Sequence, residues 1–487
     1  MLEISQNDIE KRLAFDNPWW EDESDDGISY RDLPKRHYFD PFYRLVSNRG
    51  VNRAVILMGP RRVGKTVMLF QSIQRMLQEG VEGNSILFLS LETPIYTDTA
   101  LERFVLNFQE KFDHKPVTPL TIIFDEIQYL KDWEVHLKSL VDSFPHIRFI
   151  ASGSAAAALR LKSRESGAGR FTEFLLPPLT FAEYLDFVGR EDGLIELVNE
   201  NEFRPTDIHA LNDEFINYLN YGGYPEAVFN KTVRDQSSRF IKSDIIDKVL
   251  LRDLPQLYGI RDIQELNRLF TTLAYNTGNE VTLEGLSKSS GVAKATLGRY
   301  LEYLEAAFLI RRVHRIDQNA KHFQRATSFK VYLTNPSMRA ALFGSPAEDD
   351  QTMGSLAETA LFAQWFHDPN MTERIYYARW ATGEIDLVHL QGASQKPLNA
   401  TEVKWTDRPA RDRKMLRHLQ AFHDRHPGLK GCQVTTRTVY DQIKMENGLT
   451  VRMLPTSMEV YEVGKMLTEL RGYKSELDWG GYNHLSI

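Results

Sequence analysis

Three groups of residues carry types and spacings that can do chemistry. Gly59, Pro60, Arg61, Arg62, Val63, Gly64, Lys65 and Thr66 fit G-x-x-x-x-G-K-[ST]. In this pattern the glycines let the backbone wrap with its N–H groups turned inward, an anion nest at a helix N-terminus. Lys65 would reach the β- and γ-phosphates of ATP, and the Thr66 hydroxyl would ligate Mg²⁺. The second group is Asp125-Glu126, at the end of the apolar run Thr121–Phe124. A carboxylate so placed holds Mg²⁺ through water, and the next one polarises the attacking water. Asp125 is therefore expected at the metal and Glu126 as general base. The third group is Glu358, Asp386, Glu402 and Lys404. Asp386 and Glu402, helped by Glu358, would hold Mg²⁺ or Mn²⁺. Lys404 would position or activate water and stabilise the charge of a phosphorane.

The elements needed to position the first two groups are legible. Ala54–Met58 is a short apolar run that reads as a buried strand, and Val67–Leu77 reads as a helix. Strand, glycine loop and helix are what a phosphate-binding loop requires, with Val67 as the last residue of the nucleotide-binding set. Ser85–Leu91 is a second strand, Ala100–Phe112 a helix, and Arg148–Ile150 a further strand leading into Ala151-Ser152-Gly153-Ser154. A small polar residue there can orient water or sense the γ-phosphate. Ser152 and Ser154 both qualify, and Ser154 is grouped with the nucleotide-binding residues. Alternating strands and helices predict an α/β fold, a doubly wound parallel sheet with helices on both faces.

The motifs GPRRVGKT (59–66), FDEIQYLKDW (124–133), ASGSAAAALR (151–160), GAGRFTEFLLPPLTFAEYL (167–185) and YGGYPEAV (221–228) resemble a widespread prokaryotic AAA+ family. Its members carry an uncharacterised C-terminal region after the ATPase. The resemblance spans nearly the whole chain and implies ATP binding and hydrolysis, without supplying a substrate. Arg170, in GAGRF, is a candidate arginine finger acting on a neighbouring copy's nucleotide, or else a packing arginine.

Five segments follow. Residues 1–50 are a lead-in in which Trp19 and Trp20 are expected to dock on the ATPase core. Residues 51–174 form the P-loop ATPase. Residues 175–260 read as mostly helical, a lid or connector. In residues 261–335, Leu283, Leu286, Val292, Leu297 and Leu301 match a helix-turn-helix core. Two strands follow, 308–315 and 328–333, and together these predict a winged helix. Its hairpin holds Arg311, Arg312, Arg315, Lys321, Arg325 and Lys330 against Asp317, which suits contacts to DNA phosphates. Winged helices also serve as protein contacts.

Residues 336–487 carry the third group. Leu356–Trp365 is a helix presenting Glu358, Thr382–Leu390 a turn and strand carrying Asp386, and Asn399–Lys404 a strand with Glu402 and Lys404 on one face. Glu384 is expected on the face opposite Asp386. This arrangement resembles the PD-(D/E)xK nuclease fold of restriction enzymes and junction resolvases, some members of which have lost catalysis. Residues 404–430 carry eight Lys/Arg and three Asp, an excess suited to a phosphate-rich partner. Trp479–Ile487 reads as a tail.

Composition sets the outer bounds. At 487 residues several domains are expected, and 42% apolar with 26% charged residues is a globular balance. A net charge of −7 supplies no global basic field, so DNA binding must rest on local patches. With Cys432 the lone cysteine, an internal disulfide is excluded, which suits a cytoplasmic protein. No apolar run approaches the roughly 18 residues of a membrane span, and the polar N-terminus is unlike a signal peptide. The expected partners are ATP, DNA and further copies of the chain, with no membrane.

Overall fold

The computed structural model describes residues 6–21, 28–96, 99–153, 169–199, 202–321, 328–392, 394–445 and 447–473. Ser154, Arg325 and the tail from Trp479 therefore lie outside the described residues. The chain divides into two units, residues 1–177 and 178–487.

The first unit is built on five short apolar runs. β1 (Ala54–Met58), β2 (Ile86–Ser90), β3 (Leu120–Asp125), β4 (Ile147–Gly153) and β5 (Phe171–Leu175) pair in parallel in the order β2-β3-β4-β1-β5. The first four are buried almost end to end, as a sheet covered on both faces demands. This is a P-loop α/β fold. The loop after β1 runs straight into the helix Lys65–Gln78, whose Met68, Leu69 and Ile73 pack into the sheet core.

The lead-in closes the β2 edge. The Asn17 side chain donates to the Phe88 carbonyl (2.9 Å) and accepts from the Phe88 N–H (2.6 Å), imitating a neighbouring strand. Trp19 is 1% exposed and its indole N–H donates to the Ile86 carbonyl at 3.1 Å, joined by that of Trp20 at 2.8 Å. Gly83 is small because any Cβ there would lie 2.1 Å from the Trp19 carbonyl oxygen.

The second unit adds strands near its start, where a mostly helical connector was expected. β6 (Ile195–Asn199) and β7 (Glu202–Pro205) form a two-stranded hairpin inside the region read as helical. Both strands are short, and apart from Ile195 their residues are exposed or half-buried, so their apolar residues follow no buried face that would have marked a strand. The helices around Phe181, Tyr184, Phe215 and Tyr218 share a core with Leu356, Phe362, Met458 and Tyr461. A buried amide fixes that contact: Gln364 accepts from the Phe181 N–H (3.1 Å) and donates to the Tyr218 hydroxyl (3.0 Å). The segment is thus packed into the second unit's own interior.

The remaining strands are β8 (Glu280–Thr282), β9 (Ile310–Ile316), β10 (Ser328–Leu333), β11 (Ile375–Trp380), β12 (Gly383–Leu390), β13 (Pro397–Glu402), β14 (Gly431–Thr436), β15 (Asp441–Lys444) and β16 (Thr450–Pro455). They form one nine-stranded sheet, ordered β15-β16-β14-β13-β12-β11-β9-β10-β8. The helices Leu283–Ser290 and Lys294–Ala306 precede β9, separated by a turn at Gly291 (φ 76°). Leu286, Val292, Leu297 and Leu301 are buried between them, and Leu283 packs at their margin. Strands on both sides of residue 335 share the sheet, because β9 pairs in parallel with β11 through Arg315–Tyr377 and Ile316–Ala378. Among the described residues, no helix is long and apolar enough to cross a membrane.

Candidate functional site

The nucleotide loop leaves the end of β1 at Gly59. A side chain is impossible there, since a Cβ would lie 2.1 Å from the Leu176 carbonyl oxygen. Gly64 takes φ 95°, a left-handed conformation natural to glycine, and turns the chain into the helix. Val63 is buried as the loop's anchor, and its carbonyl accepts from Arg36 at 2.9 Å. Arg36 belongs to the lead-in and was invisible as a loop contact in the sequence. Lys65, 5% exposed, donates to the carbonyls of Gly59 (3.2 Å) and Pro60 (2.8 Å). Arg61 donates to the Tyr129 hydroxyl at 3.1 Å. Arg62 is exposed with φ 64°, and Val67 is half-buried in the first helical turn.

Asp125, at the end of β3, meets this loop. Its Oδ2 accepts from Thr66 Oγ1 at 2.9 Å, and its Oδ1 accepts from Ser152 Oγ. The same Ser152 oxygen accepts the Glu126 N–H at 3.1 Å. Burial and the neighbouring Glu126 carboxylate push Asp125 up to about 6, against the pull of Ser152, Thr66 and Lys65. Ser152 is thus the β4 hydroxyl placed against this carboxylate, where the sequence left two serines open. Glu126 takes φ 54° and accepts from the Gln128 amide. Thr66 and Asp125 fit a hydrated divalent cation, one hydroxyl and one carboxylate oxygen apart by a single hydrogen bond. Arg170 stands elsewhere. Its carbonyl accepts from the Ala54 N–H, at the end of β1 away from the loop, and its side chain is ion-paired with Asp142. It takes no part in its own chain's nucleotide site.

The third group does converge. Asp386 on β12 lies beside Lys404, Nζ to Oδ2 3.1 Å, and accepts the Val403 N–H at 2.9 Å. Glu402 Oε2 is 3.6 Å from Lys404 Nζ. Glu402 is 3% exposed, and its Oε1 is buried without a hydrogen-bond partner. Burial pushes Glu402 up to about 7 although Lys404 opposes it. Burial would raise Asp386 too, but the ammonium groups of Lys404 and Lys330 and the Val403 N–H hold it down to about 2.

Three expectations need correction here. Glu384 lies two residues from Asp386 and therefore on the same face of β12; its Oε1 is 2.8 Å from Lys330 Nζ. Lys330 is no surface contact: it is 3% exposed and bridges Glu358 (2.9 Å), Glu384 and Asp386 (3.4 Å). Glu358 accepts from Lys330 and from the Tyr332 hydroxyl (2.6 Å), so its Oε1 is engaged by protein donors rather than held out for a metal. Lys330 was assigned to the basic hairpin and Tyr332 was missed; their i, i+2 spacing on one strand face was the available signal. The rest of the basic hairpin is also partly spent, with Arg312 on Glu305 (2.6 Å) and Arg315 on the Arg379 carbonyl (2.9 Å). Among the described residues no three His, Cys, Asp or Glu side chains are arranged as a metal-binding group. Of the carboxylates around Lys404, Glu402 keeps one buried oxygen with no hydrogen-bond partner, and a divalent cation shared with Asp386 would have to displace the Lys404 ammonium from Asp386 Oδ2.

Residues 51–185 match the family model of an AAA domain (AAA_14). This region is thus similar to AAA domains, in keeping with its P-loop α/β fold. Residues 212–349 match a domain of unknown function (DUF8612), which spans the helices before β8 and the β9–β10 hairpin. An uncharacterized protein of Haemophilus influenzae is 26% identical over 309 residues, 62% of this chain and 72% of that protein. An uncharacterized protein of Methanocaldococcus jannaschii is 23% identical over 352 residues, 69% of this chain and 72% of its own length. Among solved structures, a Walker-type ATPase of Pyrococcus abyssi is similar with a TM-score of 0.41 and 17% identity, over 64% of this chain and 99% of that one.

Proposed function

We propose that this chain is a cytoplasmic, Mg²⁺-dependent ATPase whose nucleotide state governs how its second unit engages DNA. The hydrolytic reading is carried by one observation: both Asp125 oxygens are held, one by Thr66 of the loop and one by Ser152 of β4. Bound Mg²⁺ supplies charge neutralisation at the β- and γ-phosphates. The chain's own groups do the rest. Loop N–H groups and Lys65 bind the phosphates, Asp125 and Thr66 orient the ion's shell, and Glu126 takes the proton of the attacking water. Lys65→Ala is expected to lose ATP binding, and Glu126→Gln to bind ATP but turn it over at least about 100-fold more slowly. Normal hydrolysis by Glu126→Gln sinks the base assignment.

In the second unit, the helix pair 283–306 with its strands supports a winged-helix reading, and Asp386, Glu402 and Lys404 support a PD-(D/E)xK-like site for phosphodiester cleavage. The surface suited to DNA shifts from the hairpin to Arg408, Arg411, Arg413, Lys414 and Arg417, all exposed. It adjoins the site, because His418 Nδ1 lies 4.0 Å from Glu402 Oε1. Metal-dependent cleavage of several DNA forms, with and without ATP, tests this beside Glu402→Ala and Lys404→Ala. Equal activity in all three proteins removes the nuclease reading. A second reading, a nucleotide-switched scaffold with an inert nuclease fold, is favoured by the ion pairs that Lys330 makes within the cluster. Absence of DNA binding at low salt selects it. Arg170 would serve as a finger only between copies; mass in solution with and without a non-hydrolysable ATP analogue tests that assembly.

A further inference from the structure

Lys330 lies on β10 facing the same way as Tyr332. Its ammonium is 2.8 Å from Glu384 Oε1, 2.9 Å from Glu358 Oε1 and 3.4 Å from Asp386 Oδ1. An ammonium group at 3% exposure is tolerated only where carboxylates compensate its lost hydration. Three do so here, and the Tyr377 ring adds its face at 5.4 Å. Nζ thus fills the space on which Glu358 and Asp386 converge. The other side of Asp386 is different. There Oδ2 meets Lys404 and the Val403 N–H, and Glu402 Oε1 is buried with no hydrogen-bond partner.

We infer that Lys330 is a built-in cation of this site, standing where the cluster would otherwise gather a divalent ion, so that only the Asp386–Glu402 side takes one. The inference rests on reading the cluster as a metal site. Lys330 is then a positioning residue: it holds Glu358 and Asp386 in place by charge before any ion arrives. The ion expected on the remaining side is a hard, oxygen-seeking one, Mg²⁺ or Mn²⁺.

The test counts Mn²⁺ bound by the full-length, nucleotide-free protein, using equilibrium dialysis and electron paramagnetic resonance. Wild type is expected to bind one ion that is lost in Glu402→Gln and kept in Glu358→Gln. Lys330→Met is expected to gain one further ion, which disappears when Glu358→Gln is added, whereas Lys330→Arg gains none. A folded Lys330→Met that gains no ion overturns the inference. If Lys330→Met does not fold in the absence of ions, Mn²⁺ added during refolding is expected to restore its near-ultraviolet circular dichroism, and failure to do so also overturns it. A Lys330→Met that gains its ion while wild type binds none dependent on Glu402 supports the Lys330 assignment and removes the metal-dependent reading of the wild-type site.

Discussion

Replacing Ser152 by Ala removes a single hydroxyl from the junction of β3 and β4. That hydroxyl donates to Asp125 Oδ1 and accepts the Glu126 N–H at 3.1 Å. Asp125 is 3% exposed and Ser152 is fully buried, so water is poorly placed to replace either bond. A hydrogen bond to a charged group is worth about 1.5–3 kcal/mol, and a buried N–H left alone costs about 1–3 kcal/mol. The carboxylate share falls on the group that orients the ion's shell. At about 1.4 kcal/mol per tenfold in rate, its loss from the transition state lowers kcat about 10- to 150-fold. The orphaned N–H falls on stability and is read by urea unfolding. Nucleotide affinity should change less than about threefold, because no Ser152 bond reaches the loop backbone. Ser152 also holds the Asp125 carboxyl down, so its removal moves the acid limb of the rate profile to higher pH. Steady-state ATPase assays beside fluorescent-nucleotide titration separate these effects. A folded variant with kcat within twofold of wild type would refute the role given to Ser152.

Trp19→Ala should destabilise the first unit by about 3–5 kcal/mol, the usual cost of truncating a buried aromatic, read as a lower thermal midpoint. The Ile86 carbonyl keeps its Trp20 donor, so the loss is one of packing against Phe70 rather than of a stranded acceptor. Arg408→Ala with Arg411→Ala should weaken DNA binding similarly across sequences. It should also cut the slope of log affinity against log salt by about 2, one counterion per arginine; an unchanged slope would place the DNA contact elsewhere.

The first unit was readable because each of its decisive features is local. AVILM, SILFLSL and TIIF are continuous apolar runs of strand length, and the phosphate loop and the Asp-Glu pair sit directly at strand ends. What escaped was the part that depends on register. Ser152 and Ser154 stand two residues apart in the sequence, and it is the position of β4 beside β3 that aims Ser152 at Asp125. Glu384 was misplaced although the two-residue period puts it beside Asp386. The π-helical segments Ile241–Asp247 and Val249–Asp253 keep apolar residues at spacings that an α-helical period also allows, so the wider turn left no mark.

Lys330 shows why counting charges along a hairpin misleads. In sequence it stands among five other cations and looks like part of a phosphate-binding surface. In the fold, β9 meets β11 through only two residue pairs, Arg315–Tyr377 and Ile316–Ala378. So short a ladder contributes few main-chain bonds, and side chains must hold the seam. Tyr377 donates to Glu280 at 2.8 Å, Arg379 reaches Glu280 at 3.5 Å, and Lys330 of β10 bridges Glu358 on a helix to Glu384 and Asp386 on β12. Breaking one partner of such a buried ion cluster costs more than the pair's net worth, because the rest is left charged and dry. The same lysine therefore ties the β9–β10 pair to the strand carrying Asp386. A displacement of β10 relative to β12 would change both the seam and the charge facing Asp386.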